Sequence, residues 1–170
     1  DLMVARHRIL RTGFILNGYE TELQVVYRNI GYETGYTDLS ALSRAQQEDR
    51  IDEFMKMERQ RPFRFSSPPL WRMDVFNVGD DEIVFILQTH HTIIDGCSDA
   101  LFRTELHNIY HALLHDAAAQ PAPLHSDYRD FVVQQEIATR NVAQKDFWLK
   151  ELADFTRLDL FGTEDIFDRY

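Results

Sequence analysis

His90-His91-Thr92-Ile93-Ile94-Asp95-Gly96 gathers two imidazoles, a carboxylate and a glycine in one short segment. Imidazole is the side chain that gains or loses a proton near neutral pH, so the segment is a candidate site for proton transfer. The elements on either side must position it. Glu82 to Thr89 (EIVFILQT) holds an unbroken apolar run, Ile83 to Leu87, rich in β-branched and aromatic types, which predicts a short strand buried on both faces. The histidines would then stand at the end of a central strand. Adjacent strand residues point to opposite faces, so one of His90 and His91 is expected to face a cleft and the other the interior. Gly96 is expected to permit a turn that most residues resist, and Ser98 to cap the helix that follows.

The rest of the chain alternates between helical and strand periodicity. Leu2 to Leu10 reads as helix; Phe14 to Leu16 and Leu23 to Tyr27 read as a hairpin around Asn17-Gly18. A further extended segment is expected near Tyr32 to Thr37. Ser43 to Gln60 is a long polar helix with Ile51, Phe54, Met55 and Glu58 at helical spacing, ended by Pro62. Leu70 to Val78 and Glu82 to Thr89 flank Gly79-Asp80-Asp81 as an antiparallel hairpin. Ser98 to His115 is the next helix, Gln120 to Ser126 a proline-bearing connection, and Tyr128 to Ala153 a helix with a break near Asn141. Strands with helices packed on them predict an α/β (α+β) two-layer sandwich with a mixed sheet.

Composition bounds the function. The chain is 44% hydrophobic and 27% charged, with seven glycines and five prolines in 170 residues, which suits one ordered core. No apolar run approaches the length that spans a bilayer. A net charge of −10 argues against nucleic acid and anionic membranes as partners. The single cysteine, Cys97, rules out an internal disulfide and fits a reducing cytoplasmic setting.

HHTIIDGCS resembles the HHxxxDG signature of the condensation domains of nonribosomal peptide synthetases, within the wider group of chloramphenicol-acetyltransferase-like acyltransferases. Other segments support the resemblance. Arg6-His7-Arg8-Ile9-Leu10-Arg11-Thr12-Gly13-Phe14 is similar to the family's RHExLRTxF motif, departing at Arg8, where the family usually has glutamate. Tyr128-Arg129-Asp130-Phe131-Val132-Val133 is similar to YxDFAVW, with Gln134 in place of the tryptophan. Pro62-Phe63 and Pro69-Leu70-Trp71-Arg72 resemble the proline-marked stretch before the histidine strand, and Phe147-Trp148-Leu149 a later FWxxxL helix. The family's first motif would lie upstream of Arg6, and its later motifs have no counterpart before Tyr170. Residues 1–170 are therefore expected to be most of an N-terminal subdomain, without its start and without the C-terminal subdomain.

The resemblance implies amide formation: an acyl or peptidyl thioester on a donor carrier protein is attacked by the amino group of an aminoacyl thioester on an acceptor carrier. Both substrates ride on phosphopantetheine arms, and the domain itself binds no cofactor. His91 would orient the amine, with acceptance of its proton, directly or late in the step, left open beside positioning, and the Gly96 amide is a candidate oxyanion donor. His90 would support the site from the interior. For Asp95 the alternatives are catalytic acid and structural anchor, and the resemblance implies that it braces the loop by pairing with Arg6; Arg11 is implied to have a structural role, with an exposed helix-end arginine as the equal alternative. The partners implied are the two peptidyl carrier proteins and the chain's own C-terminal subdomain.

Other readings compete at each point. His90, His91 and Asp95 form a conceivable two-histidine, one-carboxylate metal site, but opposed strand faces argue against it. His107, His111 and His115 have metal-like spacing too; they lie opposite the stripe of Leu101, Phe102, Leu106, Ile109, Tyr110 and Leu113, so a solvated face is expected. Cys97 is expected to be a small packing residue rather than a nucleophile. Two alternative functions remain: an epimerization-type relative, whose motif would normally carry tryptophan where Asp99 follows Ser98, and a non-catalytic condensation-like recruitment module, whose motif would be eroded.

Overall fold

Gly79, Asp80 and Asp81 all adopt positive φ, 88°, 50° and 59°, and so turn the chain between two long strands, β4 (Trp71–Gly79) and β5 (Glu82–Thr89). The computed structural model describes residues 1–156. β4 pairs antiparallel with β5 on one side and parallel with β3 (Thr34–Asp38) on the other, giving the sheet order β3-β4-β5. The parallel pair needs a crossover, and α2 (Arg44–Arg59) supplies it. A separate two-stranded sheet joins β1 (Thr12–Ile15) to β2 (Leu23–Val26). Its connection is wider than a two-residue Asn17-Gly18 turn, although Gly18 does take a positive φ of 92°.

Alternation along β4 sorts the core into two clusters. Trp71 and Met73 pack with Met3, Val4, Leu10, Leu70 and Ile93, where Phe102, Leu106 and Ile109 also dock. Phe76 and Val78 pack with Leu39, Leu42, Ile51 and Phe54. The mixed sheet thus carries α2 on one face; α1 (Leu2–Arg6), the 3-10 turn Arg8–Arg11 and α3 (Gly96–His115) lie on the other. Leu70 is fully buried, and its truncation to alanine would cost about 2–5 kcal/mol. That exceeds the worth of any of the exposed ion pairs along α2, about 0–1 kcal/mol each, so apolar packing holds this unit.

Polar anchors fix the ends of the elements. Ser43 begins α2, its amide donating to Gln46 Oε1 at 3.0 Å. Gln47, 5% exposed, donates its amide to Leu39 O, Val78 O and Leu42 O at 3.0, 2.9 and 3.2 Å. It thereby ties the start of α2 to the ends of β3 and β4. Arg11 donates to Val4 O, Tyr27 O and Arg28 O at 3.0, 2.7 and 3.1 Å, which is the structural role implied for it. The long N-terminal helix predicted over Leu2 to Leu10 instead breaks at His7, which is extended.

β5 departs from expectation. It is the outer strand of the sheet among the described residues, not a central one, and Ile83 and Phe85 are 53% and 37% exposed. Among the described residues only one face of the apolar run is covered: Val84 and Ile86 pack against Phe76 and Val78, whereas Ile83 and Phe85 on the other side stay exposed.

The chain divides at His125 into two units. In the second, α4 (Tyr128–Thr139) and α5 (Val142–Glu151) meet at the break predicted near Asn141, whose side chain caps α5 by accepting from the Gln144 amide at 3.2 Å.

Candidate active site

Strand β5 ends at Thr89, and the two histidines that follow leave it differently. His90 still continues the ladder, its amide donating to Leu70 O at 2.8 Å. Its ring is half-buried, edge-on to Phe65 and Phe63 with centroids 4.7 and 6.1 Å apart. His91 lies in a turn closed by the Ile93 amide donating to His90 O at 3.1 Å, and it is exposed. The turn, rather than strand alternation alone, separates the two rings. Ile93, 7% exposed, anchors the turn in the core beside Trp71.

Asp95 is the N-cap of α3. Its carboxylate accepts from the Ser98 amide at 2.7 Å, so the cap is Asp95 and not Ser98 as the sequence suggested. That hydrogen bond, with a smaller contribution from the nearby His91, holds the Asp95 carboxyl below its usual range. The carboxylate is at the surface and does not meet Arg6; the predicted brace is replaced by another. Arg6 pairs with Glu105 of α3 and also donates to Ala122 O, while His7 Nε2 lies 2.5 Å from the second Glu105 oxygen. The side chains of Arg6, His7 and Glu105 are 16%, 21% and 25% exposed. A signal for Glu105 was present: it shares the stripe of Phe102, Leu106 and Ile109, and a carboxylate on a core-facing stripe demands a cation.

Gly96 is the first residue of α3 and does not need its lack of side chain for a turn, since its φ is not positive and a Cβ there would meet nothing within 4 Å. Its amide is among the first N–H groups of the helix, which have no acceptor within it. Cys97, expected to pack, is exposed. His107, His111 and His115 are exposed as expected, with the first two rings 4.3 Å apart; Leu101 and Tyr110, assigned to the buried stripe, are 72% and 50% exposed. Among the described residues no three His, Cys, Asp or Glu side chains gather as a metal site would require.

Behind His90 lies an open cleft of about 500 Å³, lined by Met55, Glu58, Arg61, Phe63 and Arg72 among others. Arg72 stacks its guanidinium over Phe63 at 4.1 Å and places Nε 2.6 Å from Glu58 Oε2, too poorly aligned to count as a hydrogen bond. Its Nη2 donates to Arg61 O at 2.7 Å and to Gln88 Oε1 at 3.2 Å. Arg72 is thereby committed to shaping the wall behind His90.

A family model described as Condensation domain matches residues 1–163. Among related proteins, cyclosporin synthetase simA of Tolypocladium inflatum is 35% identical over 157 residues, 88% of this chain and 1% of that protein. Bacitracin synthase 3 of Bacillus licheniformis is 30% identical over 158 residues, 92% of this chain and 2% of that one. The chain therefore spans a small part of the length of these relatives. The starter condensation domain of rhizomide synthetase RzmA superposes with a TM-score of 0.75 at 20% identity, covering 91% of this chain and 37% of that chain. The first condensation domain of the calcium-dependent antibiotic synthetase, in complex with substrate analogue 2a, gives 0.73 at 23% identity over 92% of this chain and 38% of that one. These structures share the fold.

Proposed function

Because the chain belongs to the condensation-domain family of nonribosomal peptide synthetases, we propose that it supplies the N-terminal half of a site that forms an amide between two carrier-bound thioesters. The amino nitrogen of the acceptor's aminoacyl group bonds to the donor's thioester carbonyl carbon. The carbon–sulfur bond breaks, the donor arm leaves as its thiol, and the amine loses a proton. His91 is the group placed to orient that amine and take the proton. The amide N–H of Gly96, aimed from the start of α3, stabilises the oxygen that gains charge as the carbonyl is attacked. His90 and the Arg6–Glu105 pair hold these groups, and Asp95 holds the start of α3.

The observation that carries this reading is the exposure of His91 on a turn closed by hydrogen bonds, five residues before the Gly96 amide that opens α3. One face of the catalytic group is presented by this chain, and a C-terminal subdomain would close over the other. Donor and acceptor peptidyl carrier proteins are the partners, their phosphopantetheine arms belong to the substrates, and the setting is cytoplasmic. The test offers donor- and acceptor-loaded carriers to the protein with its condensation domain complete, and identifies what the acceptor carrier holds by mass spectrometry and by chiral chromatography of the released acyl group. A lengthened acyl chain is expected. An acceptor of unchanged mass and inverted α-carbon would support the epimerization reading, and an unaltered one the recruitment reading.

A further inference from the structure

The backbone amide of Thr92 donates to Nδ1 of His90 at 3.2 Å, and the Thr92 hydroxyl lies against the same nitrogen. A side-chain acceptor bound to the N–H two residues on is the bond by which aspartate and asparagine close a turn. Here an imidazole supplies the acceptor. The bond needs a lone pair on Nδ1, so the ring is the neutral tautomer with its proton on Nε2. Phe63 and Phe65 hold the ring edge-on, which keeps Nδ1 facing the turn. His90 O accepts from the Ile93 amide at 3.1 Å, and the His90 amide is held by Leu70 O at 2.8 Å. His91 sits between these fastenings.

We propose that Thr92 is a positioning residue: by donating to Nδ1 of His90 it fixes the Nε2–H tautomer of that ring and closes the turn that holds His91. Packing between two phenylalanines explains an aromatic or apolar residue at 90. It does not explain an acceptor matched to a donor two residues away. The role concerns geometry, and a displacement of about 1 Å in a catalytic group costs up to roughly a hundredfold in rate.

The proposal rests on His91 acting in the reaction, so its test has one readout independent of turnover. In the protein with its condensation domain complete and histidine labelled in the ring nitrogens, NMR near neutral pH should show His90 Nδ1 as an unprotonated acceptor and Nε2 protonated. Thr92→Val, which removes the hydroxyl, should shift the Nδ1 signal, and Thr92→Ser should restore it. A protonated Nδ1, or a signal indifferent to Thr92→Val, would overturn the assignment. In turnover, His90→Asn puts an acceptor oxygen where Nδ1 was and should stay within about threefold of the parent kcat, whereas His90→Gln, whose oxygen sits farther out, should fall by about 10–100-fold at similar KM. Equal losses in the two variants would remove the turn-closing role. If His91→Ala left the rate intact, the functional reading would fall, while the nitrogen signals would still decide whether Thr92 sets the tautomer.

Discussion

Glu105 on α3 takes the Arg6 guanidinium that the motif pattern assigned to Asp95, and the two carboxylates are therefore expected to respond differently to removal. Glu105→Ala leaves a partly buried guanidinium and His7 without their shared partner, at a cost of about 1–3 kcal/mol. Asp95→Ala removes an exposed cap and should lower the melting temperature less. A double-mutant cycle checks the pairing: Arg6 and Glu105 should couple by about 0.5–3 kcal/mol, while Arg6 and Asp95 should be additive. Coupling of Arg6 to Asp95 instead would restore the motif's brace.

The acid sensitivity of that cap has a defined sign. The Ser98 amide lowers the Asp95 carboxyl in the folded chain, so its contribution is complete above the unfolded value of about 3.9 and fades only as pH falls through the lower, folded value. The start of α3 should be indifferent to pH between about 5 and 8 on account of Asp95. Urea melts of parent and Asp95→Asn should keep a constant separation across that range and converge in stronger acid; convergence already at pH 6 would point to another group.

Asp74 has the opposite sign. Partial burial, and then the Glu58 charge, raise its carboxyl above the ordinary value, against the lowering effect of Arg61 and Arg72. An acid whose folded value is raised destabilises the fold once pH climbs past the unfolded value of about 3.9, so Asp74→Asn should be neutral or stabilising at pH 7. Asp74 also explains Gly35, its cross-strand neighbour: a Cβ at Gly35 would lie 1.9 Å from Asp74 Oδ1. A Cβ at Gly35 is admitted only if the Asp74 carboxylate swings aside, so Gly35→Ala should cost less stability in combination with Asp74→Ala than alone, as read by thermal melts.

Hairpin β4–β5, helix α2 and the break at Asn141 were legible because each has a local cause: positive-φ turn residues, a proline stop, an asparagine cap. Gln47 and Glu105 were not read as anchors because a polar residue on a helix is solvated in most sequences, and Val78 and Arg6, which each of them reaches, lie far along the chain. The motif placed His90 and His91 correctly at a strand end, but the turn that parts them depends on Thr92 and Ile93, which the pattern leaves open. Burial of β5 was overread because an apolar run records what the strand needs and not which neighbour satisfies it.

The 170-residue chain alone should not catalyse amide formation. His91 is open to water, and if, as proposed, this chain supplies only the N-terminal half of the site, neither substrate nor thioester is enclosed and exclusion of solvent is missing. Carrier-loaded donor and acceptor mixed with this chain should give product only at the uncatalysed rate, and product above that rate would show that the second half is dispensable.

With the condensation domain complete, His91 and His90 should separate in their effects, because one is exposed on a turn and the other is packed against Phe63 and Phe65. His91→Ala should leave the melting curve nearly unchanged, since an exposed side chain contributes little to folding. It should cut amide formation by about 10²–10⁴-fold if proton transfer is rate-determining, and by less if orientation of the amine dominates. His90→Ala takes packing and the Nδ1 hydrogen bond away together, and should lower stability by about 1–3 kcal/mol as well as slow turnover. Melts and single-turnover rates on both variants distinguish the roles. A His91→Ala protein of parental stability and parental rate would remove His91 from the mechanism, and a variant pair with the two patterns exchanged would transfer the catalytic role to His90.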